Sequence, residues 1–144
     1  MIKKIDLPYP INSLEPYYNK ETLLLHYDIL YSGYLDKTNK ITEKLQKARE
    51  TNNFENIKCL EKDLTFFGSG VILHELFFTN IAPAIPSSPS IELMKQINLD
   101  FESYDKFKTQ FSESSKVIEA SGWNLLVWVP EFEQLEILQC EKHQ

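Results

Sequence analysis

The chemistry open to this chain rests on few side chains. It holds three histidines, His26, His74 and His143, and one arginine, Arg49. Imidazole is the side chain best suited to ligate a metal or move a proton near neutral pH, so each histidine is a candidate for either task. His26 and His74 fall on apolar helical stripes, where a histidine that simply fills a core is the competing reading. His143 stands near a chain end, where a solvated ring is the ordinary case. Cys59 and Cys140 are too few for a disulfide framework, and nothing requires them to pair. A single arginine leaves little means of gripping phosphate in the two-pronged way that guanidinium allows.

Two helical patterns carry the first two histidines. Asn19 is a good N-cap, and Glu21 falls in the first turn, where an acid suits the helix dipole. From 19 to about 50, Leu23, His26, Tyr27, Leu30, Tyr34, Ile41, Leu45 and Ala48 recur at helical spacings and predict one apolar face. The charged run from Asp36 to Glu50 reads as the solvated face of the same helix, with i,i+4 pairs. Thr51-Asn52-Asn53 is a turn. A second helix is predicted over about 54–78, with Ile57, Leu60, Leu64, Phe67, Val71, His74 and Phe78 on one side. Two long helices with a short connection make an antiparallel hairpin.

The segment 81–90 contains Pro83, Pro86, Pro89 and three serines, and reads as a linker between domains at 1–82 and 90–144. Ser90 caps a short helix to about 97. Ser103 caps another that carries Phe107, Phe111, Val117 and Ile118, and Gly122 is expected to stop it. The period then changes. Residues 123–129 and 135–139 are rich in β-branched and aromatic side chains and predict two strands around a turn at 130–133. Trp123 and Trp128 read there as core-filling residues. The fold class is therefore mainly α with a small α/β part. A lone β-hairpin is marginal in water, and its open edge and apolar face are expected to draw copies of the chain together.

Composition narrows the function classes. At 144 residues, 42% hydrophobic and 25% charged, the chain is globular and long enough for a real core. A net charge of −6 argues against nucleic acid or an anionic membrane as partner. No run nears the ~20 apolar residues of a membrane span, and Met-Ile-Lys-Lys-Ile-Asp at the start is no secretory signal. A reducing, cytoplasmic setting is expected.

In order and in wording these elements resemble the iron/manganese superoxide dismutase family. Leu7-Pro8-Tyr9 with Leu14-Glu15-Pro16 is similar to the family's opening. His26, four residues after Thr22 and eight before Tyr34, resembles its first metal-ligand helix, and the stretch from Gly68 to His74 its second. The run from Asp100 to Phe111 resembles the helix pair that opens its second domain. Gly122-Trp123 with Leu126-Val127 resembles its first strand.

The resemblance implies one Fe or Mn ion that converts superoxide to oxygen and hydrogen peroxide. It implies His26 and His74 as metal ligands, Tyr34 as the gateway between solvent and metal, and Trp123 as a wall of the pocket. It places His143 or Gln144 where a side chain hydrogen-bonds the metal-bound solvent. Gly70 occupies a position at which iron-type members often carry glutamine and manganese-type members glycine.

The family pattern also draws two ligands from an Asp-x-Trp-x-His motif beyond the β-hairpin, and residues 1–144 contain no such motif. The second domain is therefore read as incomplete. Leu30 and Tyr31 stand where the pattern has histidines. Phe67, Val71, Phe77 and Phe78 stand where more polar or hydrogen-bonding groups are usual. Three readings follow: a superoxide dismutase and homo-oligomer; a non-catalytic remnant or oligomerising helical hairpin; or a fragment completed by another chain.

Overall fold

The computed structural model describes residues 1–84 and 87–143. It divides into two compact units, Met1–Ile85 and Pro86–His143. Of the linker expected over 81–90, residues 85 and 86 lie outside the described residues.

The first unit is the helical hairpin. Helix α1, Lys20–Leu24, starts at Asn19, whose side chain accepts from the Thr22 N–H. The coil then widens into a π-helical segment, Leu25–Tyr31, and tightens again as α2, Ser32–Glu50. At its end Asn52 takes the left-handed conformation, φ 50°. Asn53 N–H donates to Ala48 C=O and Asn52 N–H to Arg49 C=O, the paired bonds of a Schellman stop with asparagine in glycine's usual place. Helix α3, Ile57–Asn80, returns along α2. The core joins Tyr9 and Leu14 from the opening segment to Leu23, Tyr31 and Leu35 on one side and Val71 and Phe78 on the other.

The π-helical segment corrects the expected inward face. Leu30 was expected inside and is 53% exposed, whereas Tyr31 has no exposed surface. The side chains that line the core here, Leu23, Tyr27, Tyr31 and Leu35, are four residues apart. At 3.6 residues per turn such a step overshoots by about 40° each time. The wider π turn absorbs that drift and keeps the four in line.

Residues 2–5 lie as an arm along this first helix and run the opposite way. The Asn39 amide pairs with both backbone groups of Ile2, at 2.8 and 3.0 Å. Lys4 reaches Asp28 at 2.8 Å. The Tyr27 hydroxyl donates to the Ile5 carbonyl.

The second unit contains α4, Ile91–Phe101, and α5, Tyr104–Lys116, capped by Ser90 and Ser103 as expected. Strands β1, Gly122–Val129, and β2, Gln134–Glu141, form an antiparallel two-stranded sheet, with Trp123 opposite Cys140 and Leu126 opposite Ile137. Two boundaries differ from expectation. Helix α4 continues past 97 to Phe101, and α5 stops at Lys116, before Val117 and Ile118. Gly122 is not the left-handed stop. Ala120 adopts that conformation, φ 58°, and among the described residues no glycine does. Gly122 is required for space: a Cβ there would lie 2.6 Å from the Cys140 carbonyl oxygen and 2.7 Å from Ile118 Cγ2.

Few residues of this unit are buried, Ile97 and Leu135 foremost, so side-chain hydrogen bonds tie helices to strands. Asn124 Nδ2 donates to the Phe111 carbonyl and to Ser115 Oγ, both at 2.8 Å, and Asn124 Oδ1 accepts from Ser114 Oγ at 3.0 Å. Asp100 Oδ2 accepts the Leu135 N–H at 2.7 Å. Replacing Asn124 with leucine removes three of these ties and is expected to cost about 1–3 kcal/mol. Both tryptophans, Trp123 and Trp128, lie in this unit, so their emission during urea unfolding reads the change directly. An unshifted midpoint would mean that the amide contributes nothing.

Candidate metal centre

The hairpin brings three of the sequence-predicted residues together. His26 lies in the π-helical segment, Tyr34 at the start of α2 and His74 in α3. The two imidazole rings meet edge to face with centres 4.9 Å apart, and the Tyr34 ring lies 5.1 Å from that of His74. Two imidazoles on one ion, each with a metal–nitrogen bond of about 2.1 Å, have ring centres about 4.5–5 Å apart when adjacent. The spacing of the pair matches that of two imidazoles on one ion.

Both rings are aimed by bonds on their Nδ1 side. His74 Nδ1 lies 2.6 Å from the Gly70 carbonyl oxygen. A carbonyl only accepts, so this nitrogen carries the proton and Nε2 keeps its lone pair. His26 Nδ1 lies 3.1 Å from the Tyr18 hydroxyl. When its proton is on Nδ1, His26 also presents Nε2. Burial, and then the neighbouring His74, hold the His26 pKa below the usual imidazole value, which favours the neutral ring that a metal needs.

Aromatic side chains close in on the pair. Phe77 and Phe78 stand 4.9 and 5.1 Å from His26, and Tyr31 lies nearly parallel to His74 at 5.7 Å. Gly70 makes room for this arrangement. A Cβ at that position would fall 2.3 Å from Tyr34 Cδ1, so the Tyr34 ring rests on backbone that only glycine leaves open. Beside Tyr34 is a cavity of about 360 Å³, lined also by Leu30, Gly33, Phe66 and Phe67, with Lys37 as its cation.

Four contributors escaped the sequence reading: Tyr18, Tyr31, Glu75 and Lys37. The phenylalanines at 77 and 78 suggest from sequence that hydrogen-bonding aromatics are lost around the pair. Instead Tyr18 serves His26 from outside the helix, at the residue before the N-cap. Tyr31 was legible only as a departure from a family pattern. Its hydroxyl donates to Glu75 at 2.9 Å and accepts from the Ile5 N–H at 3.3 Å.

Trp123 and His143 belong to the second unit. Both stand at the open end of the β-hairpin, Trp123 opposite Cys140 and His143 just beyond the last strand pair, Gly122 and Glu141. Gln144 lies outside the described residues.

Burial is the main cause that pushes the Tyr31 phenol up to about 12, and its bond to Glu75 adds to the rise. A group whose folded pKa is raised stabilises the fold fully below its unfolded value, here 10.0, and that contribution is lost as pH climbs towards 12. Unfolding free energy should therefore fall between pH 10 and 12 and fall less steeply in Tyr31→Phe. Identical slopes in chemical denaturation across that range would contradict the assignment.

Comparison with known proteins gives the family of the chain. Residues 3–82 match the model of the iron/manganese superoxide dismutase alpha-hairpin domain, and residues 89–144 match the C-terminal domain of the same family. A probable iron superoxide dismutase from Bacillus subtilis is 41% identical over 138 residues, which are 96% of this chain and 49% of that protein. An iron superoxide dismutase from Pyrobaculum aerophilum is also 41% identical, over 95% of this chain and 66% of its own length. A Mn/Fe superoxide dismutase from Propionibacterium freudenreichii is 39% identical over 96% of this chain and 70% of itself. The chain thus spans about half to two thirds of the first curated relatives it matches. Matched in order by both domains of one family, on either side of the proline-rich segment, the chain belongs to the iron/manganese superoxide dismutases.

Proposed function

We propose that this chain contributes half of a dismutase metal centre, with His26 and His74 as ligands for iron or manganese and superoxide as the substrate. The observation that carries the reading is the His26–His74 pair: two rings 4.9 Å apart, from facing helices, each with Nδ1 held by a protein group. An iron or manganese ion held there would supply one-electron chemistry, oxidising one superoxide to oxygen and reducing a second, with two protons, to hydrogen peroxide.

The chain's own residues have distinct tasks in this reading. The Gly70 carbonyl and the Tyr18 hydroxyl keep the imidazoles aimed. Phe77 and Phe78 exclude water from the His26 side. Tyr31 is fully buried and its hydroxyl is engaged by Glu75 and Ile5. Tyr34 is partly buried and borders a cavity, which sets its ring between the histidine pair and solvent, where a phenol can pass protons. Lys37 lines that cavity and favours entry of an anion. Trp123 and one of His143 or Gln144 are assigned to the pocket wall and to the bound solvent on the family pattern alone.

The pattern's remaining ligands belong to the Asp-x-Trp-x-His motif, which residues 1–144 do not contain. Two imidazoles and water hold a divalent ion weakly, and without a carboxylate the higher oxidation state is poorly stabilised. The 144-residue polypeptide by itself is therefore expected to bind Fe or Mn weakly and to dismutate superoxide far below the family's level. His26→Ala and His74→Ala should each abolish the remaining binding while circular dichroism stays helical. Metal analysis settles the matter: if both variants retain the parent's metal, the pair is not the site.

We also infer a homo-oligomer in a reducing cytoplasm. Leu25, Ile29 and Leu30 expose apolar surface on the hairpin, and Trp128 and Leu138 do so on the sheet. Both cysteines are free and exposed, as suits a reducing compartment. Sedimentation of the 144-residue chain should show association that rises with concentration. A clean monomer at high concentration would refute it.

A further inference from the structure

We propose that Tyr31 is a positioning residue for His74 and that the amino-terminal arm holds Tyr31 in place. Residues 2–5 would then govern how well the histidine pair takes a metal, although they offer it no ligating side chain. The inference rests on the metal reading above and adds a control to it.

The Tyr31 and His74 rings lie within 16° of parallel, with centres 5.7 Å apart. An imidazole held by one hydrogen bond can still rock about it. His74 has such a bond at Gly70, and the face of Tyr31 restrains the rocking. Tyr31 is itself anchored at its far end, where the hydroxyl accepts from the Ile5 N–H at 3.3 Å and donates to Glu75 at 2.9 Å. Tyr27, one turn earlier, takes the Ile5 carbonyl, so side chains of the helix hold both polar backbone groups of Ile5. Lys4 adds a contact to Asp28 at 2.8 Å and lies 3.6 Å above the Tyr27 ring. Ile2 is pinned on both sides by Asn39. The arm is therefore clasped at three levels, and its last clasp is the group that fixes the ring beside His74. Residues that orient a metal ligand from behind typically change affinity by 10–100-fold when removed.

The test uses the 144-residue chain with cobalt(II) as the probe, followed by visible absorption. Tyr31→Phe keeps the ring and loses the anchor. Deletion of residues 2–5 removes the arm. Ile5→Pro removes the N–H donor together with the isoleucine side chain that packs on the core while leaving the rest of the arm, and serves if the deletion fails to fold. Each is expected to weaken cobalt binding roughly tenfold. Tyr31→Phe combined with Ile5→Pro should weaken it no further than Tyr31→Phe alone, because both changes remove the bond between the Ile5 N–H and the Tyr31 hydroxyl. In the metal-free protein, imidazole ¹⁵N–¹H spectra should show the His74 resonances shifted or broadened in each variant, with those of His26 unchanged. Parent-like affinity in Tyr31→Phe and Ile5→Pro, or effects that multiply, would overturn the proposal. If the parent binds no cobalt, the metal reading fails by itself. The His74 resonances then decide, and unchanged lines in Tyr31→Phe overturn the positioning role.

Discussion

The absence of a side chain at residue 70 sets the geometry of the histidine pair. The Tyr34 ring lies where a Cβ would be, 2.3 Å from that point, so the helices can approach closely enough for rings from both to interleave. The carbonyl of the same residue fixes the proton on His74 Nδ1. One glycine thus acts twice, through space for Tyr34 and through an acceptor for His74. Its helical cost, about 1 kcal/mol relative to alanine, does not exceed the roughly 1–3 kcal/mol of forcing a methyl group against a packed ring. The balance favours glycine for mechanical reasons, whichever metal the site takes.

Helix existence and the hairpin were legible in the sequence because long stripes, a good N-cap at Asn19 and a polar turn at 51–53 all agree. The phase of the first helix was not. A reading at 3.6 residues per turn put Leu30 inside, and the π-helical segment turns Tyr31 inside instead. Such a segment has no strong composition signal, since it arises from the packing of Leu23, Tyr27, Tyr31 and Leu35 on one partner surface. His26 was legible as a candidate from its type and its stripe. Tyr31 was not, because its inward position follows from that altered phase, and Tyr18 was not, because it stands before the N-cap and outside the helical stripe.

The two units solve the same problem of small size differently. The hairpin has a continuous apolar core that draws on the opening segment as well as both helices. The second unit buries little and relies on polar pins, with Asn124 and Asp100 bridging helix and strand. Hydrophobic periodicity reports the first kind of construction well and the second poorly, which is why α5 was read too long and Gly122 was given the wrong task. An asparagine in a strand carries a weak β signal. Its value here lies in reaching two acceptors on α5, a property of the folded pair that no local pattern encodes.

Charge supplies the last constraint. At a net −6 the chain as a whole repels small anions. At physiological salt that repulsion fades beyond about 8 Å, so what an approaching anion meets is set by nearby groups. Lys37 lies 4.6 Å from the Phe67 ring centre, on the cavity beside Tyr34. The aromatic face steadies the ammonium without neutralising it. The charged side chain that lines the cavity beside Tyr34 is therefore a cation, although the chain as a whole is acidic, and local charge there is opposite in sign to the net charge.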